Sequence, residues 1–460
     1  VSLRARLRAL ERVTRPMAPD LEAALARRWE ALPGHVKTPA QALGRRTAGC
    51  EGTHGVFPRC NLACTPCYHS REANRVRTDG AHTASEVDRQ MSYLRSQRGP
   101  GQNAQLIGGE VSLLDPDDHA EALLAMRRHG RKPMSMTHGD FDYEYLERLV
   151  LDAEGNVRLP HVSFAGHFDS MMFGRRGIKR VEHEADLNEH RRRFCEMFER
   201  LEREHGVTHY LAHNMTVTPR NVDQIAQVLA DCRDMGFRMF SFQPAAYVGN
   251  TNRWKDSYRA FSGDEVWAQM ERGLGTRLPY KVLQIGDERC NRTAYGTLVG
   301  ERWVPILDDR VAADHAVRDH FFATFGGMDF DVPPAVLAAK LARVFADHPA
   351  MLAAALSWAG RFARRAGGPR ALRRDPPRAL TLVMHSFMDA RDVRPAWEGL
   401  QRGELSEDAQ IRATQERLQA CSYAMAHPDS DELVPACVQH SVLDPQENLK
   451  LQELLPLVPA

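Results

Sequence analysis

Cys60-Asn61-Leu62-Ala63-Cys64-Thr65-Pro66-Cys67-Tyr68-His69-Ser70 is the stretch on which the reading of this chain turns. Its three thiols lie close together, the first two separated by three residues and the last two by two. Thiolates suit a soft metal centre, and so short a loop aims all three at one point. Three thiolates on a four-iron cubane leave one iron without a protein ligand, which points to chemistry rather than electron storage alone. Zinc takes thiolates as well. A closed zinc site needs a fourth ligand, and His54 and His69 are both near enough in sequence to supply it. Spacing alone leaves both metals open.

Downstream, Gly108-Gly109-Glu110 follows the apolar run Ala104 to Ile107, so it sits at the C-terminal end of a predicted strand. Ligands collect at that end of α/β domains. Two glycines let backbone approach a ligand closely, and the carboxylate suits an ammonium group. Alone, such a tripeptide is an ordinary turn.

Taken together, the three-cysteine loop and the glycine–glycine–glutamate turn resemble the radical S-adenosylmethionine (SAM) enzymes. The resemblance covers roughly residues 50 to 249 and implies an α/β fold, a partial (β/α)6 TIM-like barrel. It implies a [4Fe-4S] cluster on Cys60, Cys64 and Cys67 whose free iron chelates SAM, with reductive cleavage to a 5′-deoxyadenosyl radical. Glu110 and the backbone of Gly108 and Gly109 would then hold the methionine amino group, and Thr137-His138-Gly139 resembles the family's strand-three terminus. A reductant such as flavodoxin or ferredoxin is the implied electron donor. Many members carry an aromatic residue just before the third cysteine, where this chain has Pro66. The aromatic follows instead, as Tyr68, which resembles a subgroup containing tetraether lipid synthases and pterin-methylating enzymes. Phe242-Gln243-Pro244, His385 to Ala390 (HSFMDA) and the segment from Val434 through Cys437 to Leu443 are further short matches to that subgroup.

Other strand ends add candidates for the cofactor pocket. His167 and Asp169 follow the strand HVSFAG, where they would touch a ribose or substrate or simply cap a turn. Arg175, in Arg175-Arg176-Gly177, would face a carboxylate, and Gln243 lies at a late strand's end. Tyr247, Asn250 and Asn252 follow as pocket-shaping residues.

Of the remaining cysteines, Cys290, Cys421 and Cys437 sit in polar or turn-rich surroundings, unlike thiols buried in apolar runs. In the resembling enzymes, cysteines outside the barrel hold auxiliary clusters, which makes these three candidate ligands, with Cys50 or a nearby histidine as the fourth. Cys195 and Cys232 read as helix residues packed in the core.

The chain of 460 residues, 43% hydrophobic, is long enough for two or three domains. Its 61 lysines and arginines balance 60 acidic residues, which gives no argument for nucleic acid. No run reaches the ~20 apolar residues of a membrane span, and nine cysteines without a secretion signal fit a reducing cytoplasm better than disulfides. The expected division is a helical lead (1–48), the α/β core (49–250), a helical and irregular extension (251–379) and a small cysteine-containing C-terminal domain (380–460). Within the lead, Leu3, Leu7 and Leu10 recur at helical spacing between arginines. Such a helix packs on the next domain, the plainer reading, or rests peripherally on a membrane. The irregular stretch is 254–305, and Arg361 to Arg378 reads as an exposed basic connector.

The lipid-synthase resemblance favours an unactivated C–H bond in a lipid or other small apolar substrate, joined through carbon–carbon bond formation. Radical methylation of a pterin or other heterocycle is the alternative, and a non-catalytic iron–sulfur or zinc scaffold is the reading from another class.

Overall fold

The computed structural model describes residues 3–69, 71–248, 258 and 260–457. Asn250 and Asn252 lie outside them.

Thirteen strands are formed by the described residues. They are β1 (Cys50–Gly52), β2 (Ala63–Cys64), β3 (Asn103–Leu106), β4 (Lys132–Thr137), β5 (His161–His167), β6 (Met172–Phe173) and β7 (Thr208–Val217). Then come β8 (Met239–Pro244), β9 (Asn291–Val299), β10 (Arg302–Pro305), β11 (Arg378–His385), β12 (Tyr423–Ala426) and β13 (Leu433–Pro435). Eleven of them make one sheet in the order β10-β9-β11-β8-β7-β5-β4-β3-β1-β12-β13, while β2 and β6 pair separately. From β11 to β12 all neighbours are parallel, and each end of that run is closed by an antiparallel strand.

Helices return the chain between the central strands, as parallel pairing requires. Their limits are written locally. Asp115 caps the helix Pro116–Arg128 by accepting from Asp117 N, with proline at its first position. The helix Asn188–His205 stops at Gly206, whose φ of 67° is the left-handed conformation that favours glycine. With helices on its faces, the sheet buries both sides of β5 and β7. The core beneath is aromatic: Phe194, Phe198 and Phe164 interlock at ring separations of 5.0–5.1 Å. Cys195 and Cys232 are buried there, as their helical setting suggested.

Sequence expectations meet the structure unevenly. The five anticipated central strands are present within a residue or two. Residues 254–305, expected to be irregular, contain the helix Gly263–Leu274 and β9. Ser262 caps that helix through Glu265 N, a start signal present in the sequence and passed over. β9 is disguised by Gly296, where a Cβ would stand 2.2 Å from the Trp303 ring. Arg361 to Arg378 is no loose connector. The helix Pro349–Arg365 runs into it, and Arg361 and Arg365 both pair with the buried Asp314, at 2.9 and 2.7 Å. The helix Leu3–Thr14 packs against the helix Pro334–Asp347, in the extension rather than on the core domain that follows it. The strands β11 and β12 of residues 380–460 extend the same sheet rather than forming another. No helix of the described residues is long and apolar enough to cross a membrane.

His119 illustrates the acid sensitivity of this interior. It is fully buried, with Nε2 on Ser135 Oγ (2.8 Å) and Nδ1 on the Tyr145 hydroxyl (3.0 Å). Burial, reinforced by the charge of Arg158, lowers its pKa from 6.5 to about 3. The unfolded chain protonates this ring below pH 6.5 while the folded one does not, so its stability contribution is complete above 6.5 and lost as pH falls towards 3. Between pH 6.5 and 5 the loss is about 2 kcal/mol. Urea unfolding at the two pH values is expected to show it, with a smaller difference in His119→Gln.

Candidate active site

The three-thiol loop lies across the C-terminal ends of the central strands and is held from several directions. Cys60 N donates to Asn74 Oδ1 (2.9 Å), and Ala63–Cys64 pairs with Met172–Phe173 beyond β5. Asn61, between the first two cysteines, accepts from His138 Nε2 at 2.8 Å. The other nitrogen of His138 accepts from Asp140 N, which fixes the neutral Nε2–H tautomer. Burial, opposed by Glu110, lowers the His138 pKa and keeps that form. After the last cysteine, the Tyr68 hydroxyl donates to Gly108 O (2.7 Å), and His69 Nε2 reaches the same oxygen.

Gly108 and Gly109 receive the loop's leading strand. Gly109 N donates to Phe57 O (2.7 Å) and Glu110 N to Arg59 O (2.9 Å). A Cβ on Gly109 would lie 2.0 Å from Arg59 O, and one on Gly108 2.5 Å from the Phe57 ring. Neither glycine has positive φ, so the requirement is for space alone. The close approach expected towards a ligand is made here to residues 57–59 of the chain itself.

Glu110 is 1% exposed and turned inward. Its Oε1 accepts from Ser112 N, Ser112 Oγ and Thr137 Oγ1 (3.0, 2.6 and 2.6 Å), and Oε2 from His138 N (2.8 Å). Around the rim, His167 Nε2 contacts Asp169 Oδ2 (2.7 Å) and Thr216 Oγ1 (3.1 Å), while Asp169 accepts from Met171 N and Thr216 N. Asp169 thus caps its own turn and ties β5 to β7. Gln243 is half-buried at the end of β8, in register with Thr216. Arg175 is buried over the Phe168 ring, donating to His138 O (2.7 Å) and His167 O (3.1 Å). Arg175 in turn feels the charges of Glu110 and Cys64, so the arginine, the glutamate and the thiol loop share one neighbourhood. Beneath this rim the buried pair Arg191–Glu184 (3.0 Å) anchors the β5 exit, since Glu184 also accepts from Ser170 N and Arg191 donates to Phe168 O.

Sequence reading passed over Asn61, Asn74 and Arg191. Each acts on a partner set by the fold, and nothing local separates them from ordinary loop and helix residues. Phe173, paired with Ala63, is 52% exposed, while Tyr258 is buried with its hydroxyl on Thr65 Oγ1. Tyr258 stacks on Tyr247, whose backbone N donates to Asp389 Oδ1 (2.9 Å), so the β8 exit and HSFMDA are neighbours.

Cys60 shows what a metal would change. Burial, countered by Leu62 N–H and deepened by Glu110 and Cys67, pushes its pKa to about 11. Such a thiol stays protonated at neutral pH unless a cation is present. A soft, multiply charged centre fits this setting. Among the described residues these thiols bring no third donor, whether thiol, His54 or His69, within 4.8 Å, as a single zinc ion needs. Cubane ligands bind different irons and stand farther apart. His54 meets Glu447 Oε1 through Nδ1 (2.6 Å) and His69 meets Gly108 O through Nε2, while the second nitrogen of each ring is buried without a hydrogen-bond partner among the described residues.

Cys290, Cys421 and Cys437 also come together. Burial raises the pKa of Cys437, with the charges of Cys421 and Cys290 adding to it. Cys290 is pushed to about 11 by burial, against the pull of Arg417 and with Cys421 adding to it. Cys50, at the start of β1, is raised by burial and also feels Cys421.

No family model matches the chain, and no curated protein does. Among solved structures it is similar to Streptococcus suis SuiB bound to precursor peptide SuiA, at 14% identity and a TM-score of 0.30, covering 48% of this chain and 42% of that one. It is also similar to native anSMEcpe with bound AdoMet and Cp18Cys peptide, at 13% identity and a TM-score of 0.30, covering 48% and 57%. Native anSMEcpe with bound AdoMet matches at 14% and 0.31, covering 50% and 62%. The chain spans less than two thirds of each of these structures, and likeness at this level carries no argument.

The glycine packing is directly testable. Gly109→Ala is expected to cost roughly 1–3 kcal/mol through overpacking and to lower iron uptake on anaerobic reconstitution. Gly34→Ala, with nothing within 4 Å of its Cβ, is expected to change neither.

Proposed function

We propose that this chain is a radical SAM enzyme acting on an unactivated C–H bond of an apolar, lipid-like substrate, for carbon–carbon bond formation. The observation that carries the reading is His138, which joins Asn61 of the three-cysteine loop, Glu110 and Arg175 at the strand ends. When bound, a [4Fe-4S] cluster and SAM would supply the hydrogen-abstracting 5′-deoxyadenosyl radical. The chain's own part is to hold, orient and exclude. The three cysteines would ligate the cluster, with Asn61, Asn74 and Tyr68 fixing the loop. Glu110 and the Gly108–Gly109 backbone would receive the amino group of SAM. Thr137, His167, Asp169, Arg175 and Gln243 would line its remainder, with Thr137 and Arg175 acting through Glu110 and His138.

The exposed Phe173 ring, beside the loop through the pairing of Ala63–Cys64 with Met172–Phe173, supports an apolar substrate at the mouth, with radical methylation of a heterocycle the alternative. Cys290, Cys421 and Cys437 would hold an auxiliary cluster. The central parallel strands would curl as a partial (β/α)6 barrel over residues 49–250, flanked by the helical lead, the 251–379 extension and the 380–460 segment. Electrons would come from a flavodoxin or ferredoxin in the cytoplasm, with any membrane contact peripheral.

Anaerobic protein with dithionite and SAM is expected to release 5′-deoxyadenosine and methionine. Cys64→Ala should reduce release at least a hundredfold while leaving the circular dichroism spectrum unchanged. Undiminished release from that variant, or only zinc in the purified protein, removes the radical reading and leaves a metal-binding scaffold.

A further inference from the structure

Among the described residues, three guanidinium groups around the second thiol group hydrogen-bond to backbone or sulfur and to no carboxylate. Arg28 donates to Cys421 O (2.6 Å), Arg98 to Cys50 O (2.8 Å) and Arg417, through Nε, to Cys290 Sγ itself (3.1 Å). Arg417 also donates to Ser386 O, beside Met388, whose N–H meets Cys437 Sγ at 3.5 Å. Arg28 Nε is buried without a hydrogen-bond partner. The nearest carboxylates belong to others. Glu51, within electrostatic reach of Arg98, pairs with Arg131 at 2.8 Å. Asp287, within reach of Arg417, pairs with Arg289 at 2.6 Å and His35 at 3.2 Å.

Buried guanidinium groups without counter-charge are costly. Arg98 is buried and Arg28 and Arg417 half-buried, and three such groups on three of these four cysteines call for an anion beside Cys421, the thiol whose charge Cys50, Cys290 and Cys437 all feel. We propose that Cys50 is the fourth ligand of an iron–sulfur cluster shared with Cys290, Cys421 and Cys437, and that Arg28, Arg98 and Arg417 are its built-in counter-charge. This rests on the auxiliary-cluster reading above and deepens it. Four thiolates leave no open iron, so the cluster relays electrons and does not bind substrate. The arginines stabilise the reduced form, which carries one more negative charge, above the oxidised form. They therefore hold the potential up.

The test uses full-length protein carrying Cys60→Ala, Cys64→Ala and Cys67→Ala, reconstituted anaerobically with iron and sulfide, so that only the second site reports. About four irons per chain are expected, falling below half in Cys437→Ala and in Cys50→Ala. In an electron-spin-resonance redox titration, Arg417→Gln should shift the reduction equilibrium tenfold towards the oxidised form, about 59 mV for one electron. Arg417→Lys, which keeps the charge, should recover most of that shift. No iron in the triple-alanine background removes the auxiliary cluster itself. Iron that is bound there, yet unaffected by Cys50→Ala, with a midpoint unmoved by Arg417→Gln, overturns the present inference alone.

Discussion

Backbone packed against Gly108 and Gly109 with no room for a methyl group is the constraint on which the candidate site depends. Two hydrogen bonds, from Gly109 N to Phe57 O and from Glu110 N to Arg59 O, seat the loop before its first cysteine. The Tyr68 hydroxyl then returns to Gly108 O after its last. Each bond contributes only about 1 kcal/mol, but together with the steric limit they leave the thiols one position relative to β3. Burial, with the charge of Cys67 adding to it, raises the Tyr68 pKa well above its ordinary value, so the phenol keeps the proton it donates.

Buried charge divides into two patterns. Arg191–Glu184 and Arg131–Glu51 are ion pairs at or near zero exposure, the second leaving Glu51 Oε2 and Arg131 Nε without hydrogen-bond partners among the described residues. Removing one member of such a pair costs about 3–5 kcal/mol, since the other is stranded. Arg28, Arg98 and Arg417 follow the opposite pattern, donating to backbone or sulfur around the second thiol group. Arg191–Glu184 lies beneath the β5 exit and Arg131–Glu51 at the entrance of β4, while the guanidinium groups that pair with no carboxylate among the described residues gather where cysteines do.

Much of this arrangement was legible in the chain itself. Apolar runs ending in glycine marked the central strands and helices because their boundaries are set by local dihedral preference. The thiol loop and the turn at Glu110 stood out by residue type and spacing, and the structure brings them together through His138, which meets both Asn61 and Glu110. What stayed hidden depends on distant partners. Asn61 matters through His138, and Arg417 through Cys290, across intervals no window of sequence spans. β9 was obscured because Gly296, which reads as a turn residue, is there to admit the Trp303 indole. Arg361 and Arg365 read as solvent-facing charge because Asp314, their buried partner, lies on another helix.

The pairing of β1 with β12 joins the two ends of the chain. During synthesis, segments fold roughly in the order they emerge, and contacts between distant segments form last. Asn74, Gly108, His138 and Met171, which brace the three-thiol loop, have all left the ribosome by mid-chain. Cys50 must wait for residues 421 to 437 before its own neighbours exist. The three-thiol loop draws on late residues as well, since the Tyr68 ring lies 4.5 Å from that of His440 and the helix Asp444–Leu454 packs beside residues 71–75, so the surroundings of both cysteine groups are complete only after residues 421 to 454 have been made.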